Sequence, residues 1–88
     1  MSNIKFSPQA WEDYHFWLNN DKQIFKRIDD LIKACSRDGA GIGKPERLSG
    51  DFSGWSSCRI TKEHRMIYKK DNATDTLFIL QLRHHYKK

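Results

Sequence analysis

Thr76-Leu77-Phe78-Ile79-Leu80-Gln81-Leu82-Arg83-His84-His85 is the stretch whose reading settles the fold. Its first half is apolar at consecutive positions, so both faces of an extended chain carry apolar side chains. That pattern predicts a final strand over 76–85, covered on both faces and central in its sheet. Working backwards, Asp71 to Asp75 reads as a turn, Arg65 to Lys70 as a strand, Thr61-Lys62-Glu63-His64 as a hairpin connection, and Ser53 to Ile60 as a strand. Three strands with short connections make an antiparallel meander.

Upstream the period changes. Asp38 to Pro45 holds Gly39, Gly41 and Gly43 and no usable period, so it reads as a loop. Before it, Ile24, Ile28, Leu31, Ile32 and Cys35 recur as the stripe of an amphipathic helix that ends near Arg37. Asn19-Asn20-Asp21 offers its cap. An earlier helix runs to about Leu18, with Ser7 as N-cap, Pro8 in the first turn, and Trp11, Tyr14, Trp17 and Leu18 on one face. Glu12 and Asp13 sit early enough in it to favour the helix dipole. Asn3-Ile4-Lys5-Phe6 alternates and predicts a first strand. The expectation is one α+β domain over residues 1–88, its two helices packed on one face of an antiparallel sheet of about four strands.

Eighty-eight residues exclude a two-domain enzyme. No apolar run approaches the roughly 20 residues that cross a bilayer, and no apolar signal segment follows Met1, so the expected location is cytoplasmic, with no membrane partner. Cys35 and Cys58 are too few for a disulfide framework and lack zinc-site spacing; both are expected to be buried and reduced. Charge is unevenly placed. Residues 1–43 carry six basic and six acidic side chains, whereas residues 44–88 carry ten basic and five acidic, which is the whole net charge of +5. A basic C-terminal half suits a polyanionic partner.

Metal chemistry and nucleotide motifs find little support. Adjacent His84 and His85 point to opposite faces of a strand, so no metal site and no cofactor are expected. The glycine loop follows a helix instead of a strand, unlike a phosphate-binding loop. What remains is an acid–base set aimed at a phosphate. Glu46 stands beside Lys44 at the loop edge, Arg59 and Arg65 flank one hairpin, and Arg83 and His85 share a strand face with Tyr86 next. Attack by a ribose 2′-OH needs a base, an acid for the leaving 5′-oxygen, and cations for the dianionic phosphorane. A carboxylate, a His or Tyr, and two arginines supply these; singly, each reads more readily as a solvated surface residue.

Gly43-Lys44-Pro45-Glu46-Arg47-Leu48, Ser53-Gly54-Trp55, the run from Arg59 through Glu63-His64-Arg65 to Tyr68, and His85-Tyr86 occur in order. Together with Trp11-Glu12-Asp13-Tyr14, they resemble the YoeB/Txe branch of the RelE-type bacterial toxins over nearly the whole chain. The resemblance implies a microbial-RNase-type fold and a toxin of a type II toxin–antitoxin system that cuts mRNA in the ribosomal A site. It further implies Glu46 as general base, His85 as general acid, Arg59 and Arg65 on the scissile phosphate, and Tyr86 in support of His85. Lys44 and Arg83 are added here as auxiliary RNA contacts. The implied partners are the ribosome, mRNA and a cognate YefM/Axe-like antitoxin with an acidic C-terminal segment. DNA is met only through the antitoxin, and a homodimer is compatible with the family although no residue specifies one.

The chain departs from the family in three places. Gly54-Trp55-Ser56-Ser57-Cys58-Arg59-Ile60 stands where relatives show G-aromatic-W-S-R-R-I, Lys87-Lys88 follows the terminal His-Tyr pair, and His84 precedes the family histidine. Strand parity with Arg83 favours His85. A competing reading is a non-catalytic module of the same fold that only binds an antitoxin or is directed at DNA gyrase. Such a module has no need of the Glu/Arg/His/Tyr set, and a supercoiling assay separates the two.

Overall fold

Ser7 makes the first transition of the chain. In the computed structural model, which describes residues 3–37 and 45–84, β1 (Asn3–Phe6) leads into α1 (Pro8–Asn20). Ser7 Oγ accepts from the Ala10 N–H at 2.9 Å, as the expected N-cap does, and donates to the Leu80 carbonyl at 2.6 Å. The cap thereby ties α1 to the last strand. Asp21 repeats the device, its Oδ1 accepting from the Gln23 and Ile24 N–H groups to start α2 (Lys22–Arg37). The expected stripe of α2 is the one it buries: Ile28, Leu31, Ile32 and Cys35.

Helix α1 buries only part of the stripe its aromatics suggest: Trp17 is in the core and Tyr14 packs against it. Ala10, Asp13 and Trp17 face inward, while Trp11 and Leu18 are 53% and 42% exposed. Asp13 is the cause: instead of serving the helix dipole, it is buried and accepts from the Leu82 N–H at 2.9 Å. A buried carboxylate must be hydrogen-bonded, and that partner sets the rotation of the helix.

Beyond α2 come β2 (Glu46–Arg47), a 3-10 turn (Gly50–Phe52), β3 (Ser56–Arg59), β4 (Arg65–Asp71) and β5 (Thr76–Gln81). They form one five-stranded sheet in the order β1-β5-β4-β3-β2, with α1 against β5 and α2 against β4 and β5. The α+β architecture is as expected, and β5 lies inside the sheet. The strand count and one pairing differ: β2 is added, and β1 pairs with β5 in parallel, Lys5 opposite Phe78. The parallel pair follows from the path. Three successive reversals from β2 to β5 return the chain beside β1 in the direction in which β1 runs.

Two strands are shorter than their periodicity suggests. β3 starts at Ser56 because Ser53-Gly54 is a turn, with Gly54 at φ +92, a conformation other residues adopt only under strain. β5 stops at Gln81 because α1 claims the backbone of the next residue: Trp17 Nε1 donates to the Leu82 carbonyl at 2.9 Å, and Asp13 takes its N–H. His84 then adopts φ +62.

The main core lies between the helices and the near face of the sheet, where Cys58, Met66, Tyr68, Leu77, Ile79 and Leu82 meet Ile28, Leu31 and Cys35. Burying such side chains contributes roughly 1.5–3 kcal/mol each. Cys35 and Cys58 are buried and free, as expected. The bond between them raises the Cys58 thiol and lowers Cys35, while burial raises the Tyr68 hydroxyl, which also meets Cys35. The far face of β5 is not covered by a second layer as its apolar run suggested. There Phe78 lies half-buried between lysines, Lys5 Nζ and Lys69 Nζ each 5.7 Å from its ring centroid.

Candidate active site

Cross-strand register assembles the candidate residues on the face opposite the helices. Glu46 pairs with Ser57, Ser57 with Ile67, and Ile67 with Gln81, so one row crosses four strands. Directly paired residues share a face, and so do positions two apart along a strand. Arg59 pairs with Arg65 two positions beyond Ser57 and Ile67, and therefore lies on the face that carries Glu46. From Glu46 to Arg65 the sheet spans two strand spacings, about 10 Å, and two residues along a strand, about 7 Å. Long carboxylate and guanidinium side chains at that separation can reach one phosphate placed between them.

The hairpin sets the arginines opposite each other. Thr61 Oγ1 accepts from the Glu63 and His64 N–H groups, and Ile60 N–H donates to the His64 carbonyl, closing the turn just inside the pair. Like charges directly opposite in a sheet are destabilising, so the pair calls for an anion. Arg65 Nε and Ser57 Oγ are buried with no hydrogen-bond partner among the described residues. A buried donor left unpaired costs about 1–3 kcal/mol, and such groups accumulate where a ligand completes the bonding. Arg59 is exposed, its carbonyl accepting from Arg27 Nη2 at 3.3 Å. Cys58, where the family shows a second arginine, faces the helices and is fully buried, so it takes no part in this face.

A further set of contacts leads the chain to its C-terminal residues. Trp17 and Asp13 hold Leu82 from both sides. His64 Nδ1 accepts from the His84 N–H at 2.7 Å, and Arg65 N–H donates to the His84 carbonyl at 3.1 Å. The bond assigns the acceptor nitrogen of His64 and leaves its hydrogen on Nε2. Its ring also stands edge-on to Trp17, with centroids 4.8 Å apart. Sequence reasoning missed Asp13, Trp17, His64 and Ser57 as site residues. The first three act on residues 20 to 69 positions away, and only the Glu-His-Arg run around His64 hinted at them.

Of the sequence-derived site residues, Glu46, Arg59 and Arg65 are brought onto one face. The strand parity used for Arg83 does not apply, because β5 ends at Gln81. Arg83 instead places its guanidinium carbon 3.7 Å from the Phe16 ring centroid, a cation–aromatic contact on α1. Lys44, His85 and Tyr86 lie outside the described residues. Among the described residues no group of three His, Cys, Asp or Glu side chains could hold a metal ion, and no helix is long and apolar enough to cross a membrane.

Residues 6–86 match the model of a family described as YoeB-like toxin of bacterial type II toxin-antitoxin system. Toxin YoeB of Mycobacterium bovis is 45% identical over 87 residues, which is 98% of this chain and 100% of that protein. A solved YoeB/ParE toxin from Agrobacterium tumefaciens superposes with a TM-score of 0.91 at 40% identity, covering 96% of this chain and 99% of that one. The YoeB–YefM complex from Staphylococcus aureus gives 0.87 at 43% identity, covering 98% and 99%. A YoeB dimer from the same organism gives 0.86 at 45% identity, covering 97% and 98%.

Proposed function

The chain belongs to the YoeB-like toxins of bacterial type II toxin–antitoxin systems, and we propose that it is a ribosome-dependent endoribonuclease that cuts mRNA in the A site without a metal. The observation that supports this best is the shared face of Glu46, Arg59 and Arg65, with the buried Arg65 Nε unpartnered among the described residues. Arg65 also bonds the His84 carbonyl, so the chain passes the arginine pair immediately before His85.

In this reading Glu46 takes the proton of the ribose 2′-OH at the cleaved position. The freed 2′-oxygen attacks the adjacent phosphorus, and Arg59 and Arg65 stabilise the dianionic phosphorane, a contribution of about 3–4 kcal/mol for a well-placed donor. The phosphorus–O5′ bond breaks as His85 protonates O5′, with Tyr86 supporting the imidazole. The products are a 2′,3′-cyclic phosphate and a 5′-hydroxyl. Lys44 serves as an auxiliary phosphate contact in this reading, whereas Arg83, resting on Phe16, is left out of the catalytic set. The ribosome supplies the orientation of the 2′-OH, which a small domain does not impose on a flexible strand.

In this reading the natural inhibitor is an antitoxin whose acidic, poorly ordered segment covers the basic face and folds as it binds; a relative has been solved in complex with YefM. Operon DNA is reached through that antitoxin, and pairing of two copies follows the dimer of the same relative. The site of action is the bacterial cytoplasm. A programmed ribosome carrying an mRNA with a single 2′-deoxy nucleotide at the cleavage position tests the chemistry. The modified message should stay intact while the all-ribose message is cut and ends in a cyclic phosphate; equal cutting of both would refute 2′-OH attack.

A further inference from the structure

The far face carries a second row that the catalytic set does not use. Two positions beyond Ser57 and Ile67, in the direction away from Arg59 and Arg65, register aligns Lys69 with Phe78 and Phe78 with Lys5. Trp55 closes the row, with Lys69 Nζ 4.9 Å from its ring centroid. The Trp55 backbone is held on both sides, its N–H donating to the Phe52 carbonyl at 3.0 Å and its carbonyl accepting from the Leu48 N–H at 2.9 Å. A cavity of about 520 Å³ opens beside Trp55 and Lys69. Arg47 also lines it, as does Lys70, whose ammonium is ion-paired with Asp75 at 2.8 Å, and no carboxylate is among the lining residues.

We propose that this cavity is a nucleotide subsite for the RNA strand on one side of the cleaved phosphate, with Trp55 as the stacking platform and Lys69 and Arg47 as phosphate contacts. The inference rests on reading the Glu46–Arg59–Arg65 face as the cleavage site. Three arguments carry it. The volume falls in the range of small-ligand sites. Aromatic rings beside lysines are how single-stranded nucleic acid is held without base reading, through stacking and backbone charge. Finally, Trp55 and Lys69 stand four residues from Arg59 and Arg65 along β3 and β4, about 13 Å, a span that a short single strand crosses. An acidic peptide would use the cations but has no need of the ring, so RNA is the occupant the composition favours.

Binding of a six-nucleotide RNA, made uncleavable by 2′-O-methylation at every position, tests this with the full chain across a salt series. Trp55→Ala should weaken binding roughly 5- to 150-fold, with Trp55→Phe recovering most of it. Lys69→Gln should lower the slope of log K against log salt by about 0.7, the value for one released counterion on a single strand. Thermal unfolding of each variant confirms that it is folded. Unchanged RNA affinity and salt slope in Trp55→Ala and Lys69→Gln would overturn the proposal, as would losses confined to a polyglutamate peptide, which would make the cavity a peptide site. Because the oligonucleotide is not cut, this result stands apart from the chemistry: intact binding losses with no ribosomal cleavage would refute the nuclease reading and keep the subsite.

Discussion

At the scale of single residues, Arg59 and Arg65 oppose each other across one hairpin, which costs stability unless an anion sits between them. Arg59→Gln should therefore leave the unfolding free energy unchanged or raise it by up to about 1 kcal/mol, while cleavage falls by about 10²-fold or more. Denaturant unfolding and a cleavage assay on the same preparation check both halves. Asp13 predicts the reverse pattern. Asp13→Ala strands the buried Leu82 N–H and should cost about 1–3 kcal/mol, whereas Asp13→Asn keeps an acceptor and should recover part of it, as thermal melts would show. Tyr68 gives a pH dependence with a defined sign. Burial raises its hydroxyl above the ordinary value of 10.0, so above that pH the unfolded chain releases a proton that the folded chain retains. Stability then falls as pH rises through the ordinary value, and Tyr68→Phe should flatten this alkaline limb in unfolding measured from pH 8 to 11.

Elements show where local pattern decides and where it yields. The cap at Ser7, the stripe of α2 and the hairpin turn before Arg65 were legible because each is written within a few neighbouring residues. The rest is written across the chain. β2 has two residues and no period to read, and the parallel partner of β1 depends on where the meander returns. The end of β5 is set by Trp17 and Asp13, which lie more than 60 residues upstream. For that reason the site was only partly legible. Residue types pointed to Glu46, Arg59 and Arg65, but strand parity misplaced Arg83, which rests on Phe16. The segment after β5 is held by α1, and Trp17→Phe tests its role by keeping the ring and removing the donor to Leu82. Amide exchange at residues 82–84 should speed up and cleavage should fall, with a stability loss of only about 1 kcal/mol. Unchanged exchange would show that Trp17 serves packing alone.

Across the whole molecule, one sheet separates two tasks. Its near face is buried by the helices and supplies stability, and its far face gathers cations from a C-terminal half that carries the net charge of +5. Association with an acidic antitoxin segment should accordingly slow as salt rises, since steering by the basic face is screened beyond about 8–10 Å at physiological ionic strength. The central claim is that this face performs acid–base cleavage of RNA. Primer extension on a defined mRNA in a reconstituted translation system tests it most directly, comparing the wild-type chain with Glu46→Gln and His85→Ala, with and without ribosomes. Cleavage at a fixed position in the A-site codon, dependent on ribosomes and lost in both variants, is the predicted result. Wild-type rates in either variant, or an uncut message with a wild-type chain that still binds its antitoxin, would contradict it.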